Sequence, residues 1–400
     1  MLSKLKNISI LSFGEFVSRI LNFLSFAYLA RVINLSDFGT IGFGTALINF
    51  LLNIVSFGLD RICLKEVTQI NQLASNYLIN ISIIRIVLSS ISFLIYLLIL
   101  FFNSNFNLPL VLLGLTIFST GLSFNYFAKA IEYFKVITTN QIVISILTII
   151  LYFIFVRNKN DFIIAVSILV SVSFISNFLF LHNLKEYIVN IKNKFSLHLI
   201  KQLLLASYPI FISSIMIAIY YFADTIMIGI IKKEYDVGIY SAANKVFLIL
   251  TIPFSIIVSV FLPSIAKYYR KVNNSFVIYF CLISLTGVLL GFTTYLFAKN
   301  IIFLIYGETF LSSIIPLKIL AINVILVGVN MSFGEPLTVW GKQKQYLIAV
   351  SIGAITNIIL NLIFIPKYSY YGAAFTTLLS EFSVFVVLSY LFCRVREKNE

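Results

Sequence analysis

Eight ionisable side chains occur within stretches of this 400-residue chain that are otherwise apolar. Four are acidic and four are basic: Glu15, Arg19, Arg85, Asp224, Lys245, Lys318, Glu335 and Glu381. If such stretches cross a membrane, each charge costs about 2.5–3.5 kcal/mol or more at the bilayer centre, so it normally faces a cavity or a partner. These residues are therefore the first candidates for ligand binding and ion coupling.

The clearest pattern is a polar stripe on the first apolar stretch. Ser12, Glu15, Arg19 and Asn22 recur at helical spacing and share one helix face. Glu15 and Arg19 stand four residues apart, where opposite charges can neutralise each other. The stripe predicts a face that lines a cavity, and a structural ion pair between two helices is the alternative.

Three further basic residues are predicted to join Glu15, Arg19 and Asn22 in binding a substrate. They are Arg85, Lys245 and Lys318, and each lies near one end of an apolar stretch. The alternative for each is that its long side chain reaches out to the membrane interface.

Asp224 and Glu381 are the candidates for ion coupling. Tyr220 stands one turn before Asp224, and Thr377 stands one turn before Glu381. A lone buried carboxylate is a natural proton or sodium site. For Asp224 the alternative is an ion pair with Lys245 from the neighbouring stretch.

The apolar stretches are long enough to cross a membrane. Hydrophobic residues make up 60% of the chain, charged residues 11%, and the mean hydropathy is +1.01, which excludes a soluble globular fold and disorder. A crossing helix needs about 20 mainly apolar residues. By that criterion the sequence predicts an all-α membrane protein with twelve spans, over residues 8–31, 38–59, 77–102, 108–128, 137–156, 161–182, 203–230, 237–263, 275–298, 313–335, 345–365 and 370–393. The segment 301–310 is predicted to be too short to cross and to lie at the interface.

Local sequence features refine these spans. Pro209 and Pro253 interrupt the seventh and eighth spans and predict bends, either flexing points or static kinks. Glu335, which precedes Pro336, is predicted to mark a helix end. The glycines that open the second span predict close helix packing: Gly39, Gly42 and Gly44.

The orientation follows from the lysines and arginines. The predicted loops on the side of the N-terminus carry 18 of them, the opposite loops carry 7, and 4 lie within spans. Cytoplasmic loops are the richer ones, so both termini are predicted to be cytoplasmic, as an even number of spans requires. The first ten residues lack a small-residue cleavage site and are predicted to begin a retained helix. The net charge of +14 therefore indicates topology and not a nucleic-acid surface.

The chain also repeats itself. Ser123-Phe124 recurs 209 residues later as Ser332-Phe333, and several apolar residues match in the same order. Near the second span, Asp37-Phe38-Gly39 pairs with Asp236-Val237-Gly238. We interpret the chain as two parallel copies, an N-terminal lobe (residues 1–200, spans one to six) and a C-terminal lobe (residues 201–400, spans seven to twelve). Transporters built this way bind substrate between their halves.

Catalytic and metal-binding motifs are missing from the sequence. The cysteines Cys63, Cys281 and Cys393 and the histidines His182 and His198 are too scattered for a disulfide framework or a metal site. There is no Walker A loop and no Gly-x-Ser-x-Gly elbow. The sequence thus predicts no catalytic residue, no metal and no cofactor, and it favours a protein that is not an enzyme.

Several segments resemble a known family. The run SFGEFVSRIL at residues 12–21, Ala30-Arg31-Val32-Ile33 and the two Asp-x-Gly turns are similar to Wzx-type flippases of lipid-linked oligosaccharides. These flippases share a superfamily with the MATE drug exporters and the lipid II flippase. The resemblance covers nearly the whole chain and implies two six-helix lobes that form a V around a central cavity.

The same resemblance implies a function. The substrate would be an undecaprenyl-diphosphate-linked oligosaccharide, moved from the cytoplasmic to the periplasmic leaflet of a bacterial inner membrane by ion- or proton-coupled alternating access. Its partners would be this substrate, membrane lipid and a polysaccharide polymerase complex. A basic cavity suits the diphosphate, because Arg and Lys bind phosphate oxygens strongly where water is scarce.

The resemblance also bears on the choice of substrate. Arg19 takes a place like that of a first-helix arginine in the lipid II flippase cavity, but Phe23-Leu24-Ser25-Phe26 stands where that flippase has a second arginine. This departure favours an O-antigen or capsule unit. A MATE-like cation or drug antiporter is the main alternative, and it would favour carboxylates and aromatics over the balanced charges seen here. A structural scaffold for polysaccharide synthesis would leave those charges unexplained.

Overall fold

The computed structural model describes residues 2–69, 74–103, 107–189, 195–267 and 274–397. These residues form helices joined by short turns, and none of them lies in a strand. The helices are α1 (Leu2–Val32), α2 (Leu35–Ser56), α3 (Leu59–Gln69), α4 (Ala74–Phe102), α5 (Leu108–Gly114), α6 (Thr116–Gly121), α7 (Asn125–Ala130), α8 (Phe134–Phe155), α9 (Phe162–Val189), α10 (Leu197–Ile231), α11 (Glu234–Leu250), α12 (Ile252–Lys267), α13 (Asn274–Tyr306), α14 (Ile314–Val339) and α15 (Gln343–Glu397).

The helices confirm an all-α protein that crosses a membrane many times. Within the described ranges, ten helical segments are long and apolar enough to span a bilayer. The last of them, Gln343–Val395, contains a break at Ser369 (φ 49°, ψ −131°), which divides α15 into a first arm (343–368) and a second arm (370–397). Helix α1 adds 31 residues, more than the about 20 that a crossing requires. The twelve predicted spans thus each have a helical counterpart.

Two details differ from the sequence prediction. The segment 301–310 is not a separate interfacial piece, because α13 continues without a break to Tyr306 and ends where Gly307 adopts φ 87°. No residue between Ala298 and Tyr306 breaks a helix, so the polar pair Lys299-Asn300 interrupts the apolar pattern but not the helix. The predicted fourth span is likewise built from three short helices, α5 to α7.

Helix α3 has no counterpart among the predicted elements. Phe57 (φ 45°) and Gly58 (φ 73°) adopt left-handed conformations that end α2, and the chain then starts a new helix. Cys63 and Val67 on α3 are fully buried in a core shared with α4 and α7. The second predicted span therefore ends at Ser56 and not at residue 59.

The predicted bends at proline have different outcomes. Pro209 lies inside α10, which continues through it as one helix. Pro253 lies at the start of α12, directly after the turn at Thr251 that separates α12 from α11. Proline suits this position because the first residues of a helix have no intrahelical acceptor for their N–H groups.

The described helices group into two compact units. The first unit comprises Met1–Asn34 and Gly44–Ala218, and the second comprises Leu35–Phe43 and Ile219–Glu400. In the first, α8 packs against α1 and α9, and α3 packs against α7. In the second, α14 lies against α11, α13 and α15. The division into lobes at residue 200 stays a prediction.

Glycines allow the closest helix contacts of the second unit. A Cβ atom on Gly39 would lie 1.8 Å from the Glu234 carbonyl oxygen, and one on Gly238 would lie 2.5 Å from the Leu35 carbonyl oxygen. The two Asp-x-Gly turns of the repeat therefore pack backbone to backbone, as the glycines predicted. Any side chain at these positions would force the helices apart.

Large apolar side chains remain exposed along the long helices. On α13 the exposed residues recur every three or four positions at Leu285, Val288, Phe292 and Leu296, while the opposite face is buried against α14. An exposed apolar stripe of this length suits contact with lipid rather than with water. The polar sites described next lie on the buried faces of such helices.

Candidate functional site

A polar pocket of about 410 Å³ lies in the first unit, and the α1 stripe forms one of its walls. Its lining consists almost wholly of amide, hydroxyl and charged side chains: Glu15, Ser18, Arg19, Asn22, Ser123, Asn125, Asn140, Gln141, Ile144, Ser145, Ser176 and Phe180. Helices α1, α8 and α9 contribute most of these residues. The side chain of Ser12, also predicted to belong to the stripe, lies outside the described part of the structure.

Several polar atoms of this pocket have no hydrogen-bond partner among the described residues. They are the hydroxyl of Ser18 and the side-chain carbonyl oxygens of Asn125, Asn140 and Gln141. Asn140 is oriented by α9, since its Nδ2 donates to the carbonyl and hydroxyl oxygens of Ser176 at 3.2 and 3.0 Å. Buried acceptors without donors are costly, so the pocket is suited to a ligand that donates hydrogen bonds.

The charged pair of the stripe is open to this pocket. Arg19 is exposed and Glu15 is half-buried, and no ion pair joins the two within the described residues. The neutralising pair expected from their spacing does not form. Both side chains keep their charge available for a ligand.

Arg85 does not line the pocket. It is 4% exposed on α4, and its guanidinium donates to Asp60 Oδ1 and to the Thr120 carbonyl oxygen, both at 3.3 Å. The same group lies over the Tyr126 ring at 4.7 Å from the centroid. These contacts join α4 to α3, α6 and α7, so Arg85 stabilises the first unit, and its role in substrate binding stays a prediction.

The two predicted lysines belong to the second unit. Lys245 is half-buried on α11, and Lys318 on α14 places its Nζ 5.2 Å from the centroid of the Tyr295 ring. Of the six residues predicted to bind substrate, three share the first-unit pocket and three lie elsewhere.

Asp224 on α10 is the centre of a buried hydrogen-bond network in the second unit. Its Oδ2 accepts from the hydroxyls of Tyr240 at 2.7 Å and Thr377 at 2.5 Å. Its Oδ1 accepts from Nδ2 of Asn357 at 2.8 Å and of Asn361 at 2.6 Å. These four neutral donors stabilise the negative charge of a carboxylate that is only 5% exposed.

The break at Ser369 positions this network. Asn357 and Asn361 stand one turn apart on the first arm of α15, and Thr377 stands on the second arm. The Lys232 ammonium donates to the Pro366 carbonyl oxygen at 2.9 Å, next to the break. The reversal of the chain at Ser369 lets both arms reach the same carboxylate.

A second pocket, of about 110 Å³, surrounds the other predicted coupling residue, Glu381. It is lined by Tyr220, Tyr221, Val327, Asn330, Met331, Glu335, Tyr346, Val350, Glu381, Val384 and Leu388. Asn330 Nδ2 donates to Glu381 Oε2 at 2.6 Å. We call this the acidic pocket, because it contains two carboxylates and its described lining has no basic side chain.

Sequence reasoning missed most neutral members of the three sites, although it named Asn22, Tyr220 and Thr377. Asn140, Asn330 and Asn361 are amides inside apolar helices, and each is at least 94% buried. A buried amide in a membrane span needs hydrogen-bond partners, so each of these residues indicates a polar site. The prediction was based mainly on the charged residues of the spans and did not use this indication. Each site also contains a charged residue that the sequence analysis named: Arg19, Asp224 or Glu381.

Similar proteins were found by sequence. A probable low-salt glycan biosynthesis flippase of Haloferax volcanii is 29% identical over 182 residues, which cover 44% of this chain and 38% of that protein. The capsular polysaccharide biosynthesis protein CapF of Staphylococcus aureus is 24% identical over 277 residues, 66% of this chain and 68% of that one. The chain thus spans less than half of the first relative and about two thirds of the second.

Solved structures share the fold. The lipid II flippase MurJ in an inward closed conformation matches with a TM-score of 0.77 at 17% identity, over 96% of this chain and 89% of that one. An inward-facing MATE family multidrug transporter of the MOP superfamily matches with a TM-score of 0.73 at 13% identity, over 96% of both chains. Both kinds of transporter match well, so the fold by itself does not decide the cargo.

A family model decides the membership. The model described as polysaccharide biosynthesis protein matches residues 4–269, about two thirds of the chain. That stretch contains nearly all of α1, the first-unit pocket and Asp224. The resemblance to polysaccharide flippases is confirmed, and the chain belongs to the polysaccharide biosynthesis protein family.

Proposed function

We propose that this protein is a flippase for lipid-linked glycans and that the first-unit pocket binds the polar part of the substrate. The observation that carries the proposal is the set of buried acceptors on Asn125, Asn140 and Gln141 beside the open guanidinium of Arg19. Sugar hydroxyls donate hydrogen bonds to amide oxygens, and a guanidinium binds phosphate oxygens in a bidentate manner. A glycan joined to a lipid diphosphate carries both groups side by side.

The size and charge of the pocket support this assignment. Small-molecule pockets typically measure about 300–1,000 Å³, so about 410 Å³ holds part of a glycan and not a whole repeat unit. Glu15 and Arg19 balance each other in charge, which leaves the uncharged amides to contact the sugar. The names of the two relatives, a probable glycan biosynthesis flippase and a capsular polysaccharide biosynthesis protein, agree with this substrate class.

The finer parts of the proposal follow the family resemblance. The lipid is undecaprenyl diphosphate, the glycan is an O-antigen or capsule repeat unit, and transport runs from the cytoplasmic to the periplasmic leaflet of the bacterial inner membrane. Both termini are then cytoplasmic, and a polysaccharide polymerase complex receives the product. The missing second arginine at residues 23–26 supports a substrate other than lipid II.

We assign ion coupling to Asp224. A carboxylate, two amides and two hydroxyls converge there from three helices, and oxygen atoms are the ligands that sodium-like hard cations prefer. The donors now on Asp224 would be exchanged for an arriving proton or cation. Because the network joins both arms of α15 to α10 and α11, that exchange changes the contacts of four helical segments at once.

The test is a flipping assay in vesicles. The purified chain is reconstituted with a fluorescent undecaprenyl-diphosphate oligosaccharide, and the label exposed on the outer leaflet is followed after an ion gradient is imposed. Arg19→Ala should abolish flipping, whereas the control Arg157→Ala removes an exposed arginine outside the pocket and should flip normally. Flipping at the normal rate by Arg19→Ala would refute the role of the pocket.

The antiporter alternative has one observation in its favour. The acidic pocket contains the carboxylates and aromatic rings that a cation antiporter requires. At about 110 Å³, however, it is well below the usual size of a drug site. Vesicles that expel a fluorescent organic cation but do not flip the glycolipid would establish the antiporter instead.

A further inference from the structure

Hydrogen-bond acceptors outnumber donors in the acidic pocket, whose lining also includes three tyrosine hydroxyls. Asn330 is 94% buried, and its Nδ2 donates both to the Glu381 carbonyl oxygen at 3.0 Å and to Glu381 Oε2 at 2.6 Å. Its Oδ1 has no hydrogen-bond partner among the described residues, and the residue lines the pocket. The amide is thus held through its donor, and its acceptor is left unsatisfied.

The carboxylates add to this excess of acceptors. Glu335 lines the pocket half-buried, and the described residues provide its carboxylate with neither a hydrogen bond nor an ion pair. Glu381 is 7% exposed and is held by Asn330 on one oxygen. Since no lysine, arginine or histidine belongs to the described lining, the complementary ligand is a cation that donates hydrogen bonds.

The rest of the lining identifies the kind of cation. The rings of Tyr220, Tyr221 and Tyr346 and the aliphatic Val327 and Leu388 form the remaining walls. A bare metal ion prefers a shell made of oxygen atoms, whereas an ammonium group on a carbon chain gains from aromatic faces and apolar contact. We propose that the acidic pocket binds a primary alkylammonium group, whose three N–H donors match Asn330 Oδ1 and the two carboxylates.

This ligand has two natural sources. An amino sugar within a glycan and the ethanolamine head group of a phospholipid both present a primary ammonium on a short carbon chain. Tyr221 is 57% exposed, so the pocket opens at the molecular surface to either of them. The proposal concerns binding alone and stands whether or not the first-unit pocket carries the glycan.

Thermal unfolding of the purified full chain in detergent tests the proposal. Ethanolamine and glucosamine are titrated at a pH where both are protonated, with ethylene glycol and glucose as neutral counterparts, all at one fixed concentration of sodium chloride. A ligand that binds only the folded state raises the unfolding temperature, and the increase becomes logarithmic in ligand concentration above the dissociation constant. We expect this concentration-dependent stabilisation by at least one amine and none by the neutral counterparts.

Substitutions in the acidic pocket then show where the amine binds. Glu335→Gln and Asn330→Leu should each raise the dissociation constant of the amine about tenfold or more, while Glu308→Gln, at an exposed carboxylate outside the pocket, should leave it unchanged. Glu335→Gln is the principal variant, because it replaces a half-buried carboxylate that holds no other described residue in place. If this variant fails to fold, the amine is titrated calorimetrically into the unmodified protein and into Asn330→Leu. The difference between the two dissociation constants then shows whether the amine binds in the acidic pocket.

The outcomes separate the sources. Binding of both amines means that the pocket recognises the ammonium itself, ethanolamine alone indicates a lipid head group, and glucosamine alone indicates an amino sugar. Equal stabilisation by an amine and its neutral counterpart, or unchanged affinity in Glu335→Gln and Asn330→Leu, would each overturn the proposal. None of these readouts depends on transport, so failure of the flipping assay leaves the result intact.

Discussion

The two pockets differ in chemistry, although the repeat in the sequence pairs one residue of the first with one of the second. Gln141 and Val350 stand 209 residues apart, the spacing of the repeat, and each lines the pocket of its own unit. The first pocket is wide and is lined by amides, hydroxyls and one charge of each sign. The acidic pocket is narrow and is lined by two carboxylates, tyrosines and aliphatic residues. One helical scaffold thus presents two different binding surfaces.

This difference indicates a division of labour. The first unit offers neutral acceptors and an arginine, which suit a hydroxyl-rich anionic ligand. The second unit offers Asp224 and the acidic pocket, which suit cations. If the division is correct, substitutions in the first unit alter ligand affinity, and substitutions at Asp224 alter ion dependence. Substitutions in each unit test this separation of ligand binding from ion dependence.

Asp224→Asn should remove ion dependence from transport while ligand affinity is retained. The amide keeps the size of the side chain but loses the charge, and its own NH₂ group meets the donors of Tyr240, Thr377, Asn357 and Asn361. Flipping should fall to the rate measured without an ion gradient. Asp161→Asn, which alters an exposed carboxylate bonded to the backbone N–H groups of residues 157 and 158, is the control. If flipping by Asp224→Asn still responds to the ion gradient, the assignment of ion coupling to Asp224 in the second unit is wrong.

Arg85→Ala should reduce stability rather than change binding. The substitution removes two hydrogen bonds and a contact with the Tyr126 ring from the first unit. Asp60 is half-exposed and can be hydrated once its partner is lost, so we expect a loss of about 2–3 kcal/mol, below the 3–5 kcal/mol typical of a fully buried pair. Denaturant unfolding in detergent measures it, and Arg61→Ala on α3 is the exposed control. Normal stability together with lost glycolipid binding would place Arg85 in the binding site after all.

Asn140→Leu should weaken glycolipid binding about tenfold, which corresponds to about 1.4 kcal/mol. Leucine has a similar volume but lacks the acceptor that faces the pocket and the donor that contacts Ser176. The response to the ion gradient should stay normal, the reverse of the Asp224→Asn result. Equilibrium binding of the fluorescent substrate measures the affinity, and Asn183→Leu, on an exposed part of α9, is the matched control. A tenfold loss in both variants would indicate a general loss of folded protein.

Much of this fold could be predicted from the sequence because lipid imposes strict rules. Backbone groups in a bilayer must be hydrogen-bonded internally, so a long apolar run is a helix, and all twelve predicted spans have helical counterparts. Charged residues in such runs also lie in each of the three candidate sites: Arg19, Asp224 and Glu381. These inferences needed only local composition.

The parts of the fold and of the sites that could not be predicted depend on contacts between residues far apart in the sequence. Arg85 and Arg19 look alike in sequence, yet one is bonded to Asp60 and the other lines a pocket, which only the tertiary fold decides. The predicted spans leave a loop at residues 366–369, but nothing in the sequence indicated the positive φ of Ser369 or that the two arms of α15 meet at one carboxylate. Without the reversal at Ser369, the link between Asp224 and both arms of α15 could not be inferred.

Gln141→Val should have the smallest effect, and it tests the repeat most directly. It places in the first pocket the residue that the acidic pocket has at the corresponding position. One unpartnered acceptor is removed and the others remain, so we expect glycolipid affinity to fall about threefold to tenfold, in line with about 0.5–1.5 kcal/mol for one hydrogen bond. Gln202→Val, near the start of α10 and outside the pocket, is the control and should bind normally.

Because the carbonyl oxygen of Gln141 has no described partner in the unliganded protein, its removal should not lower the unfolding temperature. A stable variant with unchanged affinity would show that the ligand does not reach this wall, and the binding surface would then be confined to α1 and the remaining acceptors.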